Sequence, residues 1–154
     1  MKKTLLLGLM LYASMMISAK EVPAGYVDLG LPSGTLWKAQ NEPGFYMYIT
    51  AKNKFQKNLP NSSQFDELRN NCSWKYTGQG FRVTGPNGNT LFFPFTGYRD
   101  CDEDLEREGI TTRFWLVGGG DSYSYYYYLS KDNKGTSTDS NCLGHCVRLV
   151  ISGK

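Results

Sequence analysis

Two late stretches hold most of the side chains able to do chemistry. Asp100, Asp102 and Asp104 alternate within an acidic run that reaches Glu108, and Cys142, His145 and Cys146 lie close together near the C-terminus. Three carboxylates at alternate positions begin as an EF-hand calcium loop begins. Here, however, Leu105 stands where glycine makes the turn, and Thr111 where the closing glutamate belongs. The run therefore reads as a solvated acidic loop. Thiolates and an imidazole suit zinc, but further close ligands at regular spacing are missing. A cysteine nucleophile needs a base beside it. His145, the single histidine, precedes Cys146, and neighbours on a strand point to opposite faces, so the two should not meet. His145 is expected at a strand end, with a hydrogen bond or solvent contact. No catalytic residue, metal site or cofactor is expected, and the chain does not read as an enzyme.

The tyrosine run 123–128 is the strongest binding feature. A phenol ring offers a flat apolar face with a polar tip, suited to stacking on a sugar or packing on a protein. On a strand, Tyr123, Tyr125 and Tyr127 share one face, and Tyr126 and Tyr128 the other. One set should enter the core and the other form an exposed aromatic patch. The expected ligand-binding residues are Tyr123, Tyr125 and Tyr127, with Asp100, Asp102 and Asp104. Trp37, Trp74 and Trp115 are expected in the core.

The elements that must position these residues are mostly strands. Residues 25–37 read as strand, tight turn, strand, entering the core at Trp37. Residues 45–50 have the aromatic and β-branched content of a strand, and 51–58 read as a polar loop. A helix is expected from Asn61 or Ser62, with Ser63 and Asp66 as a weakened capping box and Phe65, Leu68 and Cys72 on one face. Residues 81–84 and 90–95 should pair across the Gly85–Asn89 turn, where Asn87-Gly88 is a strong hairpin signal. Residues 114–117, 123–129 and 145–151 read as strands, and 131–141 as a polar turn region. The fold class is α+β, mostly antiparallel short strands with one or two helices.

Lys2 and Lys3 followed by an apolar run to Ile17 and the small residues Ser18-Ala19 read as a secretory signal spanning 1–19, too short for a comfortable membrane span. Residues 20–154 then form a single domain. Of the 17 Lys and Arg, two lie in that leader, and the rest nearly balance the 14 Asp and Glu. No basic stripe supports nucleic-acid binding. An exported chain meets an oxidising compartment, so Cys72, Cys101, Cys142 and Cys146 are candidates for one or two disulfides, and spacing alone leaves all pairings open.

Residues 25–37, GYVDLGLPSGTLW, resemble the opening signature of small exported domains of Bacteroidales akin to the Fibrobacter major paralogous domain. The resemblance continues through Leu59-Pro60, Asn70–Trp74, Val83–Asn89, Gly97–Arg99 and Gly144–Val150. It implies a C-type-lectin-like or formylglycine-generating-enzyme-like fold, with the first and last strands close together and a loop-rich binding region before the final strands. Cys146 stands where such domains usually have serine, and Cys101 and Cys142 look like additions. On this comparison, with Cys72 a buried thiol of the helix, Cys101 pairs with Cys142 or Cys146; if two disulfides form, Cys72 takes what remains unless Cys142 and Cys146 pair locally. The lectin-type Glu-Pro-Asn and Trp-Asn-Asp motifs are absent. Two functions follow as expectations. One is an exported, periplasmic or extracellular, non-enzymatic recognition domain that contacts a glycan or protein partner. The other is an envelope inhibitor or immunity-type protein that neutralises an enzyme or toxin. Neither involves nucleic acid or stable membrane insertion once the leader is removed.

Overall fold

The computed structural model describes residues 21–153; the expected leader, 1–19, lies outside the described residues. In chain order the elements are β1 (Tyr26–Asp28), β2 (Leu36–Lys38), α1 (Tyr48–Phe55), α2 (Ser62–Asn71), β3 (Ser73–Tyr76), β4 (Gly80–Thr84), β5 (Thr90–Pro94), β6 (Tyr98–Arg99), β7 (Leu105–Glu106), β8 (Thr111–Gly119), β9 (Tyr123–Ser130), β10 (Lys134–Ser140) and β11 (Val150–Ile151). Every pair of named strands is antiparallel. Among the described residues this is an α+β fold of small sheets with two α-helices.

β2 is the centre of a sheet ordered β1-β2-β11, which joins the first strands to the last. Trp37, fully buried, anchors it, its ring edge-on to Phe65 at 4.8 Å. The hairpin β4–β5 forms across the Gly85–Asn89 turn as the Asn-Gly signal requires, and β3 adds to its edge.

The sheet β10-β9-β8 has a helix against each face. One face gives Phe114, Leu116, Tyr127 and Leu129 to a cluster with Phe65 and Leu68 of α2, Phe93 and Trp37. The other face gives Trp115 and Tyr126 to a cluster with Tyr48, Ala51 and Phe55 of α1. β10 replaces the turn region expected over 131–141. Its residues are polar because the strand is half-exposed at the sheet edge, so no hydrophobic alternation betrays it.

Residues 45–58 depart furthest from expectation. Tyr46 makes a lone bridge to His145, then the chain turns helical as α1 and closes with a 3-10 turn, Gln56–Asn58. The buried residues Tyr48, Ala51 and Phe55 fall at i, i+3 and i+7, a helical spacing that outweighs the strand preference of the aromatic residues. α2 forms where expected, but its cap is Asn61. The Asn61 side chain accepts from the Gln64 N–H, and the Gln64 side chain accepts from the Asn61 N–H. Ser63 and Asp66 are therefore not the capping pair.

The last stretch is less regular than the strand expected over 145–151. Only Val150–Ile151 pair as a strand, and 144–146 are held by single bridges to Arg99, Tyr46 and Phe114. Residues 144–150 are all buried nonetheless. Arg148 is held inside by hydrogen bonds to Asn41 Oδ1 and the carbonyls of Lys38, Ala39 and Phe92.

Candidate functional site

A concavity lies between α1 and the far end of β8. It has a volume of about 620 Å³ and is lined by Tyr48, Lys52, Asn53, Gln56, Leu59 and Val117, among others. The volume falls in the range of small-molecule sites. Tyr48, Leu59 and Val117 make its walls apolar, and the amides of Asn53 and Gln56 and the ammonium groups of Lys52 and Lys57 supply hydrogen-bonding groups.

Three local features build it. The register between β8 and β9 shifts between Trp115 and Gly119, so β8 bulges outward. The Val117 N–H donates to the Pro60 carbonyl, which fixes the bulge to the segment before α2. Gly118 takes φ +99°, and a Cβ there would lie 3.4 Å from the Tyr125 ring. The positive φ is what favours glycine here, and the Tyr125 ring lies beside it at ordinary contact distance. On the opposite wall, Gln56 adopts φ +43° and ψ −119°, an unusual conformation for a residue with a side chain. Strained backbone of this kind tends to gather at binding sites.

The tyrosine strand divides differently from the expected pattern. Tyr123 is 63% exposed and Tyr125 48% exposed, so both are surface residues. Tyr127, on the same face by alternation, is fully buried and stacked on Phe65, with ring centroids 4.3 Å apart. Burial pushes its phenol pKa up to about 12. The strand keeps its period of two, but α2 covers this face only from Tyr127 onward, so one face passes from solvent to core along its length. Tyr127 is a core residue and leaves the expected contact surface.

The acidic loop folds on itself. Asp100 Oδ1 accepts from the N–H groups of both Asp102 and Asp104, and the Asp100 N–H donates to the Asp104 carbonyl. Among the described residues no three His, Cys, Asp or Glu side chains come together as a metal site. The carboxylates of Asp102 and Asp104 are exposed.

Cys101 is bonded to Cys142, with Cα atoms 5.1 Å apart. Cys142 follows Ser140, which sits opposite Tyr123, and the Asn141 side chain donates to the Gly120 carbonyl. The disulfide therefore ties the start of the acidic loop to the end of the tyrosine hairpin. Cys72 and Cys146 are free thiols, so neither joins a second disulfide. Cys146 is buried with Sγ 3.0 Å from Thr96 Oγ1, and Cys72 ends α2. Burial raises both thiol pKa values, Glu67 adding to the effect at Cys72, so neither is an activated thiolate.

His145 is fully buried, not a strand-end residue in contact with solvent. Its ring packs on Trp115 at 4.1 Å and Tyr126 at 5.1 Å. Nε2 comes within 3.2 Å of Asp139 Oδ2, but neither ring nitrogen makes a well-directed hydrogen bond, so the contact is mainly electrostatic. Arg113 Nη1 donates to the same carboxylate oxygen at 2.6 Å. Burial lowers the His145 pKa against the opposing pull of Asp139. With the imidazole neutral, the Asp139 carboxylate is balanced chiefly by Arg113.

Sequence reasoning missed Lys52, Asn53, Gln56 and Lys57 because it read their segment as a loop; the spacing of Tyr48, Ala51 and Phe55 was the available signal. Set against known proteins, the chain matches no protein-family model, no curated protein and no solved structure.

Proposed function

We propose that the chain is an exported, non-enzymatic recognition domain that binds a glycan segment along the α1 cleft and the adjoining Tyr125 and Tyr123. The observation that carries this reading is a cleft of ligand size whose lining residue Gly118 neighbours the exposed Tyr125, two residues along β9 from the exposed Tyr123. The apolar C–H face of a sugar stacks on a phenol ring, and its hydroxyls suit the amide and ammonium groups of Asn53, Gln56, Lys52 and Lys57. The disulfide tethers the acidic loop, with the exposed Asp102 and Asp104, to the end of β10 opposite Tyr123.

Export is supported by the leader-like residues 1–19 and by the Cys101–Cys142 disulfide, a bond that persists in oxidising compartments. Among the described residues no helix is long and apolar enough to cross a membrane. A C-type-lectin-like assignment, and kinship with the Bacteroidales domains, are part of the same proposal. Both are supported by the resemblance of residues 25–37 and by the pairing of β2 with β11.

A glycan array followed by calorimetry on the hits tests the reading. Tyr125→Ala and Tyr123→Ala should each weaken the best hit by at least about tenfold, the size expected of a stacked aromatic contact. Affinity unchanged in both variants refutes it, as does a silent array combined with a tight protein partner.

A further inference from the structure

A second cleft lies at the other end of β8. It has a volume of about 340 Å³, and its lining includes Tyr98, Arg107, Ile110, Arg113, Tyr126 and Tyr128. β8 and β9 build it through register: Arg113 is opposite Tyr128, and Trp115 opposite Tyr126. β6 supplies Tyr98, and the return of the acidic loop supplies Arg107 and Ile110. The buried Trp115–His145 contact lies between this cleft and the one beside α1.

From these residues we infer a binding site for a singly charged carboxylated sugar unit, such as a hexuronate. The first argument is charge. Arg113 lies with its guanidinium carbon 3.6 Å from the Tyr98 ring centroid and is paired with Asp139, so its charge is matched. Arg107 makes no side-chain hydrogen bond, ion pair or ring contact among the described residues, and no Asp or Glu lines the cleft. One unmatched positive charge therefore faces the space, which suits a monoanion better than a phosphate dianion.

The second argument is shape. A guanidinium presents a planar fork that matches a carboxylate in two parallel hydrogen bonds. Ile110, 59% exposed, and Tyr128 give apolar surface on which one face of a pyranose ring can lie, while the Tyr98 ring carries the Arg113 guanidinium and Tyr126 is buried behind them. The hydroxyls of Tyr98, Tyr128 and Ser137 make no hydrogen bond within the described protein and remain for sugar hydroxyls. Backbone strain is a third pointer. Arg107 takes φ +53°, one of three residues other than glycine with positive φ among the described residues, and Gln56 at the first cleft is another. The left-handed turn, held by the Ile110 and Thr111 N–H groups donating to the Arg107 carbonyl, brings this exposed arginine to the cleft mouth.

This site does not depend on the α1 cleft, and each can fail alone. The test titrates the protein with D-glucuronate, D-galacturonate, D-glucose and inorganic phosphate, following backbone amide shifts by NMR. A uronate should bind at least tenfold more tightly than glucose or phosphate, with the largest shifts at Arg107, Arg113 and Tyr128. Arg107→Asn keeps a residue that tolerates positive φ and should weaken uronate binding at least tenfold, whereas Arg107→Lys should recover part of it. Tyr128→Phe, which removes one hydroxyl and leaves the ring, should weaken it severalfold. The inference is overturned if glucose or phosphate binds as well as the uronates, if no uronate binds, or if Arg107→Asn leaves uronate affinity unchanged with the fold intact.

Discussion

Breaking the Cys101–Cys142 link should cost this protein a large share of its stability. The two cysteines are 41 residues apart in sequence and both are exposed, so replacing them with serine removes the link and little packing. Closing a loop of that length in the unfolded chain corresponds to about 4 kcal/mol at 25 °C by chain entropy. Domains of this size have a net stability of about 5–15 kcal/mol. The doubly substituted Cys101→Ser, Cys142→Ser protein should therefore still fold, on its two apolar clusters, but at markedly lower denaturant. Guanidinium unfolding with and without reductant measures the difference. Reductant should bring the wild type down by about 3–4 kcal/mol to the level of the variant and leave the variant unmoved. Thiol titration after unfolding should find two free thiols, from Cys72 and Cys146. A loss below about 1 kcal/mol, or four free thiols in the protein made under oxidising conditions, would refute the reasoning.

Two further outcomes follow from buried or strained residues. The His145 pKa is lowered in the fold, so the unfolded chain takes up the proton first as pH falls; stability should drop below about pH 6.5, and His145→Phe should flatten that loss in thermal melts recorded from pH 7 to 5. Asp139, whose pKa is lowered because His145 and Arg113 outweigh burial, adds a loss of the same sign at lower pH, smaller in His145→Phe, where the His145 contribution is gone. Gln56→Gly relieves a positive φ and should stabilise the protein by about 1 kcal/mol in denaturant melts; a destabilisation would show that the Gln56 side chain contributes more than the strain costs.

Much of the scaffold was legible because strong local chemistry agreed with the final packing. The Asn87-Gly88 turn, the Phe65/Leu68 face of α2 and the Trp37 anchor all act over short range, and tertiary contacts only reinforce them. α1 was hidden because Phe45 to Thr50 carry strand-like side chains while the helical spacing emerges only when Ala51 and Phe55 are counted with Tyr48. β10 was hidden because an edge strand needs no apolar face. The site divides along the same line. Alternation along β9 correctly set Tyr123 and Tyr125 on one face, but where that face meets solvent depends on how far α2 reaches, a distance encoded in no local stretch. Arg107 and Arg113 came together with the tyrosines only through the pairing of β8 with β9 and the return of the acidic loop.

β2 lies between β1 and β11, so residues near 36 hydrogen-bond to residues near 151. A chain emerging from a ribosome or a translocation pore N-terminus first can form the β1–β2 hairpin early, but one edge of β2 stays open until Val150 and Ile151 arrive. The buried run 144–150 arrives with them, carrying Arg148 to its carbonyl cradle and Cys146 to Thr96. By topology the domain cannot close until residues 150–151 are delivered, and holding the unfinished chain would fall to chaperones until then.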